Sequence, residues 1–324
     1  MNTLPQTLPP FALEPRFVAR VWGTHDLRDW YPDLAIGEAI GEAWLSGDEC
    51  PAHSGPLAGQ PLRHIFAEHA PLMMGDVSGS ADSPLLIKIL FAQEKLSVQV
   101  HPDDAMAQRK GFPRGKTECW YALKAAPDAQ VACGLKPGAS LAAIEASLHD
   151  HTLENWLDVL PVSTGDMIFV DAGTVHAIWP GSVLLETQQN CDLTYRLYDY
   201  GRPRPLHIQE SLEALRLHTQ AGKIPPVIEH DRTLLLDSKY FRIEQHTLHG
   251  SLTHTQLGSA GDSPALSYLF VGAHPVSVQT ADQQTIPWPA NSLLAVPARC
   301  QDFQLTSVEP AKLIRIVARQ PAAH

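Results

Sequence analysis

From Lys95 to His101 the side chains alternate between polar and apolar. Lys95, Ser97, Gln99 and His101 form one set, and Leu96, Val98 and Val100 the other. A period of two belongs to a strand with one polar and one apolar face. Pro102 ends the run, because proline has no N–H to give to a ladder. The same punctuation recurs throughout. The chain's 27 prolines fall among short apolar runs, which favours strands and turns over long helices. The expected fold class is mainly β with a few short helices.

Taken in order, residues 1–15 are a proline-rich, extended lead-in. Phe17–Trp22, Glu42–Ser46, Leu85–Phe91, Gly115–Tyr121, Gln130–Leu135, Gly165–Val170, Val183–Gln189 and Thr194–Tyr200 read as strands. Pro61–His69 reads as a short helix and Gly75–Ser83 as a polar loop. Pro102–Lys110 reads as a two-turn helix, with Asp103 and Asp104 in the first turn where the dipole favours negative charge. Ser140–His149 and Thr152–Leu160 read as helices covering one end of a sheet structure, and Pro205–Leu217 as a helix leaving the first domain. Gln220–Asp231, polar and proline-bearing, reads as a linker. Short strands then follow at Tyr268–Val271, Val276–Gln279, Ser292–Val296 and Lys312–Val317, which suggests a second barrel or sandwich. The expected division is 1–218, with a short helical insert at about 139–161, and 219–324.

The formal charge is -11, and no run of lysines or arginines stands out. That argues against nucleic acid, whose phosphates need clustered cations. An anionic substrate would need a local basic pocket. The cysteines Cys50, Cys119, Cys133, Cys191 and Cys300 are odd in number and form no C-x-x-C pair, so a reducing compartment is expected. Met1–Pro10 lacks the pattern of a signal peptide, and no apolar run approaches ~18 residues. The cytoplasm is the expected location, with no membrane span.

Gln99 and His101 share a strand face, and Glu118 lies on the following strand. Gly173 suits a tight turn, after which a new strand opens with His176. An amide oxygen, an imidazole and a carboxylate converging in one place are the makings of a metal site.

Gly165 and Asp171-Ala172-Gly173-Thr174-Val175-His176 resemble the second motif of the cupin barrels, with Asp171 in place of the usual proline and Pro180 where an asparagine is often found. Gln99-Val100-His101-Pro102-Asp103-Asp104, Gly115-Lys116-Thr117-Glu118-Cys119-Trp120-Tyr121 and Thr194-Tyr195-Arg196-Leu197-Tyr198-Asp199 accompany it. So do Arg20-Val21-Trp22-Gly23, Ile40-Gly41-Glu42-Ala43-Trp44 and Pro84-Leu85-Leu86-Ile87-Lys88. Together, over most of residues 17–205, they resemble the cupin-type mannose-6-phosphate isomerases in their short bacterial form.

The resemblance implies a jelly-roll double barrel and one Zn²⁺ per chain on Gln99, His101, Glu118 and His176. These form a mixed N/O set of two imidazoles, a carboxylate and an amide oxygen that suits zinc with room for water or substrate, and that iron or manganese would fit as well. It implies a catalytic Arg196 and a substrate-contacting, catalytic Lys116. Lys88, Ser97 and Glu186 are further candidates for the substrate, and Glu186 is one candidate for the proton-transferring base. The implied reaction is aldose–ketose isomerisation between mannose 6-phosphate and fructose 6-phosphate through an enediol(ate), by a monomer or weak dimer. In the second domain, Asn291–Asp302 has Pro297 where a motif proline belongs, but Arg299 and Asp302 replace the glycine and the histidine. That barrel is expected to hold no metal. The rivals are another cupin metalloenzyme, either a different sugar isomerase or a dioxygenase, and a non-catalytic sugar-binding cupin.

Overall fold

A computed structural model describes residues 6–75, 82–258 and 264–319. Residues 76–81 of the expected Gly75–Ser83 loop, and residues 1–5 of the lead-in, lie outside them. The protein is mainly β, with 42% strand and 15% helix, as the alternating runs required. Among the described residues no helix is long and apolar enough to cross a membrane.

Two sheets form the first half. A seven-stranded sheet includes Arg16–Thr24, Ile40–Trp44, Leu85–Ala92, Ser182–Gln189, Glu118–Ala125 and Met167–Val170. A five-stranded sheet orders Tyr195–Tyr198, Val98–Val100, His176–Ile178, Gln130–Leu135 and Leu157–Pro161. Period-two alternation decides what each strand turns where. On the seven-stranded sheet Ile87, Ile89, Cys119, Tyr121 and Leu185 face outward, into a large core shared with Tyr268, Phe270, Ile314 and Ile316 of the second half. Leu90, Trp120, Ala122 and Leu184 face inward, where they meet Leu96, Val131 and Ile178. On the five-stranded sheet Val98, Val100, Val175, Ala177 and Leu197 turn outward, under the helices. The residues between them, Gln99, His176 and Arg196, are left on the inner face.

The second half is a nine-stranded sheet dominated by the paired Phe241–Thr253 and Phe303–Ala318 strands. Its interior is filled by Leu248, Leu269, Val278, Leu294, Leu305 and Leu313. The double-barrel architecture therefore holds, with several local corrections. The supposed linker carries strands: Gly222–Ile224 pairs with Met167–Phe169 of the first half, and Val227–Ile228 joins the second sheet. Within the lead-in, Phe11–Ala12 pairs with Leu294 and Ala295. Each half thus lends a strand to the other's sheet. Thr152–Leu160 is not one helix but a 3-10 turn, Leu153–Trp156, running into the strand Leu157–Pro161. The helix expected over Pro205–Leu217 shortens to Ile208–Ala214, and that over Pro61–His69 extends through a kink at His69 to Met74.

Candidate active site

His101, Glu118 and His176 converge between the two sheets. His176 lies directly opposite Gln99 on the neighbouring strand, and Arg196 is opposite Gln99 on its other side. His101 Nε2 is 3.4 Å from Glu118 Oε2, and His176 Nε2 is 3.5 Å from Glu118 Oε1. One ligand atom from each of the three residues lies within 4.8 Å of the others. All three are buried, yet both nitrogens of His101 and Glu118 Oε2 have no hydrogen-bond partner. Such orphaned polar atoms are costly unless something else satisfies them. His176 Nδ1 is 2.9 Å from the Thr174 carbonyl, which turns Nε2 towards Glu118. Gln99 Nε2 donates to Ser97 Oγ at 3.0 Å, leaving Oε1 as its potential ligand atom.

The electrostatics suit a cation. Burial, then the Lys116 charge, push His101 down to about 3, and burial also lowers His176, so both imidazoles are neutral. Burial pushes the Glu118 carboxyl up, but the Lys116 charge beside it prevails and holds the group well below the usual range. An ionised carboxylate with two neutral imidazoles is the protonation state that a divalent metal requires. Lys116 Nζ is 3.5 Å from Glu118 Oε2. Burial pushes Lys116 down, but Glu118 and Glu186 more than compensate, so it stays charged.

Beside these residues opens a cleft of about 420 Å³. Its wall carries Arg20, Lys88, Lys116, Arg196 and Arg204 against Glu42, Glu186 and Asp192. Gln99 lines it too, joining it to the buried trio. This is the local basic pocket that an acidic chain needs for an anionic ligand.

The amino-acid chain matches the model of the type I phosphomannose isomerase catalytic domain over residues 11–137. It is 35% identical over 267 residues to the mannose-6-phosphate isomerase of Streptococcus mutans, covering 76% of this chain and 81% of that protein. To the mannose-6-phosphate isomerase ManA of Bacillus subtilis it is 33% identical, covering 77% and 83%. The crystal structure of a Bacillus subtilis mannose 6-phosphate isomerase superposes with a TM-score of 0.84 at 28% identity, over 95% of this chain and 99% of the other. The chain belongs to the type I phosphomannose isomerase family.

Of the candidate residues, this family member brings Gln99, His101, Glu118 and His176 together, with Lys116 against Glu118. Lys116 precedes the strand, which begins at Glu118, and its N–H donates to the Pro102 carbonyl at 3.0 Å. Lys88, only 4% exposed, places Nζ 3.4 Å from Glu186 Oε1 and 5.1 Å from the centre of the Trp44 ring. Glu186 Oε2 accepts from Trp120 Nε1, and burial, then the Glu118 charge, raise its carboxyl above the usual value. Arg196 faces the cleft and donates from one guanidinium nitrogen to the Pro205 carbonyl at 2.8 Å. Ser97 is buried behind Gln99 and orients its amide.

Sequence reasoning assigned no role to Arg20, Glu42, Asp192 or Arg204. Arg20 grips Glu42 through two hydrogen bonds, 2.8 and 3.1 Å, and Trp44 Nε1 donates to the same carboxylate. Both residues stand in stretches that carried the family resemblance, and that was the available signal. Arg204 is clamped by Asp199 through two bonds of 2.6 Å. Its five-residue separation from Asp199, across a turn, matches no periodic pattern.

Proposed function

We propose that this chain interconverts mannose 6-phosphate and fructose 6-phosphate, with one zinc ion held by Gln99, His101, Glu118 and His176. The observation that carries the reading is the orphaned, buried His–Glu–His cluster beside a cation-lined cleft. When bound, the metal supplies Lewis-acid polarisation of the sugar oxygens. The chain's own residues do the rest. A proton leaves C2 and returns to C1 through an enediol(ate), while the hydroxyl proton passes from O2 to O1. Glu186 is the carboxylate we assign to the carbon proton. It lines the cleft, its Oε1 lacks a hydrogen-bond partner, and its raised pKa brings it nearer the working pH of a general base. Arg196, whose guanidinium stays charged, stabilises the developing enediolate without competing for the proton. Lys88 and Lys116 hold sugar hydroxyls, and Arg204, held by Asp199, meets the phosphate.

The test is a coupled assay of mannose 6-phosphate conversion, with and without chelator, beside metal analysis and a run in D₂O. Turnover should vanish on chelation and return with zinc, and product should acquire carbon-bound deuterium. E186Q should lose roughly 10²–10⁴-fold in kcat, the usual share of a general base. Full turnover in the chelated protein would sink the metal reading. Wild-type kcat in E186Q would remove Glu186 from the proton's path.

A further inference from the structure

The aspartate pair after His101 has two different jobs. Asp103 is the helix cap that its position suggests, because Oδ1 accepts the Met106 N–H at 2.8 Å. Asp104 caps nothing. Its Oδ1 accepts the Gly115 N–H and the Gln189 side-chain amide, both at 2.9 Å. Its Oδ2 accepts the Tyr240 hydroxyl at 2.7 Å, from the C-terminal half of the chain.

Those partners sit on the segments that carry the site. Gly115 immediately precedes Lys116, and two residues separate it from Glu118. Gln189 Oε1 accepts the Thr117 N–H at 3.0 Å, so the amide that reaches Asp104 at one end holds the Glu118 segment at the other. The Lys116 N–H donates to the Pro102 carbonyl, and the Gly173 N–H to the His101 carbonyl at 2.9 Å. The Ala172 N–H reaches Thr117 Oγ1 at 3.3 Å. The His101, Glu118 and His176 segments are thus cross-tied. Asp104 is the side chain in this network that reaches the second half.

We propose that Asp104, braced by the Tyr240 hydroxyl, is a positioning residue that sets the spacing between the His101 segment and the Lys116–Glu118 segment. The second half of the chain then contributes to the metal site without supplying a ligand. The Tyr240 hydroxyl fixes Oδ2, which fixes the direction of Oδ1, which aligns both of that atom's donors. Partners behind a metal ligand commonly govern its affinity by 10–100-fold. The proposal rests on the metal-site reading above, and its test separates the two.

The variant is Tyr240→Phe in the full chain, which removes one hydroxyl and keeps the ring. The matched control is Tyr31→Phe. It removes another hydroxyl bond between the halves, 2.7 Å to the Asn291 carbonyl, that does not lead into this network. Zinc affinity is read by competition with a chromogenic chelator, kcat and KM by the coupled assay, and amide exchange of Gly115–Thr117 in the metal-free chain. Y240F should bind zinc about 10–100-fold more weakly, lose kcat with KM within about threefold, and exchange those amides faster. Y31F should move none of the three. Zinc affinity and exchange in Y240F equal to wild type would overturn the proposal. So would equal losses in Y31F, since those would mean general loosening. A wild-type chain that takes up no zinc would sink the metal reading alone, and amide exchange in Y240F would still decide whether Asp104 is braced.

Discussion

Gly115→Ala is the most direct probe of how tightly the segments that carry the proposed ligands are set. A methyl carbon at Gly115 would lie 2.5 Å from the Asp103 carbonyl carbon, 2.6 Å from the Pro102 oxygen and 2.7 Å from the Asp104 nitrogen. Ordinary contact begins at 3.4 Å, so the segments must part by about 0.9 Å, the shortfall at the closest atom. Every one of those atoms is backbone, and no rotamer change can relieve the clash. The parting stretches two hydrogen bonds, Lys116 N–H to the Pro102 carbonyl at 3.0 Å and Gly115 N–H to Asp104 at 2.9 Å, out of bonding range. Overpacking costs roughly 1–3 kcal/mol and each lost hydrogen bond about 1 kcal/mol, so a loss on the order of 3 kcal/mol is expected. The same shift moves Glu118 and Lys116 away from His101. A misplacement of ~1 Å costs on the order of 10²-fold in catalysis. Thermal denaturation measures the first effect. Steady-state kinetics with zinc present, at a temperature where G115A remains folded, measures the second. A variant with unchanged stability and wild-type kcat would show that the close approach at Gly115 does not set the site's geometry.

On the proposed reading, Arg196→Ala should leave zinc uptake unchanged and lose kcat by roughly 10²–10³-fold, the usual cost of removing a donor to a developing oxyanion. A rise in KM alone would reduce Arg196 to a binding residue. Glu244 offers a test of acid stability away from the site. It is fully buried, with Arg242 Nε at 2.8 Å, Arg315 at 3.0 Å and Arg232 Nε at 3.5 Å. Burial pushes its carboxyl up, but His246 and the three arginines prevail and hold it at about 2. A folded pKa below the unfolded one contributes stability that is complete above about 4.5 and is lost as pH falls towards about 2. E244Q should therefore be less stable at neutral pH, by on the order of 3 kcal/mol, and lose the wild-type decline across that window. Parallel pH–stability curves for the two proteins would contradict this account.

The inner face of the first barrel was legible in the sequence because its strands are buried on both sides yet keep polar residues in phase. Gln99 between Val98 and Val100, Arg196 between Tyr195 and Leu197, and Lys88 within an otherwise apolar run all stand out against period two. The strands inside the supposed linker were not legible. Gly222–Ile224 and Val227–Ile228 are short and half-buried to exposed, so they leave no alternation to read. The pairing of Phe11–Ala12 with residues near 295 is fixed by tertiary contact alone. Asp104 does sit in the first turn of its helix, as expected, but the ties its side chain makes were not legible for a related reason. Its sequence position, at the first turn of a helix, is that of a dipole-complementing residue, whereas its side-chain partners lie 11, 85 and 136 residues away. Local pattern can reveal a cap, but not a tie between distant segments.

The charge distribution bears on selectivity for the proposed substrate. A chain with a formal charge of -11 repels a phosphosugar at long range. That repulsion is screened beyond about 8 Å at physiological ionic strength, so encounter is little hindered. Along the lining of the cleft five cations face three carboxylates. Lys88 and Lys116 are 4% and 5% exposed, so salt screens them poorly. Glu42 and Glu186 are also buried, and each is close to a cation: Glu42 to Arg20, Glu186 to Lys88. Glu118 and Asp199 in turn pair with Lys116 and Arg204, so what the cleft offers a ligand is not a net excess of charge but cations presented at its surface with their carboxylate partners set beside or behind them. On the reading proposed above, a phosphomonoester gains more from those cations than an unphosphorylated sugar does, through short-range, poorly screened contacts.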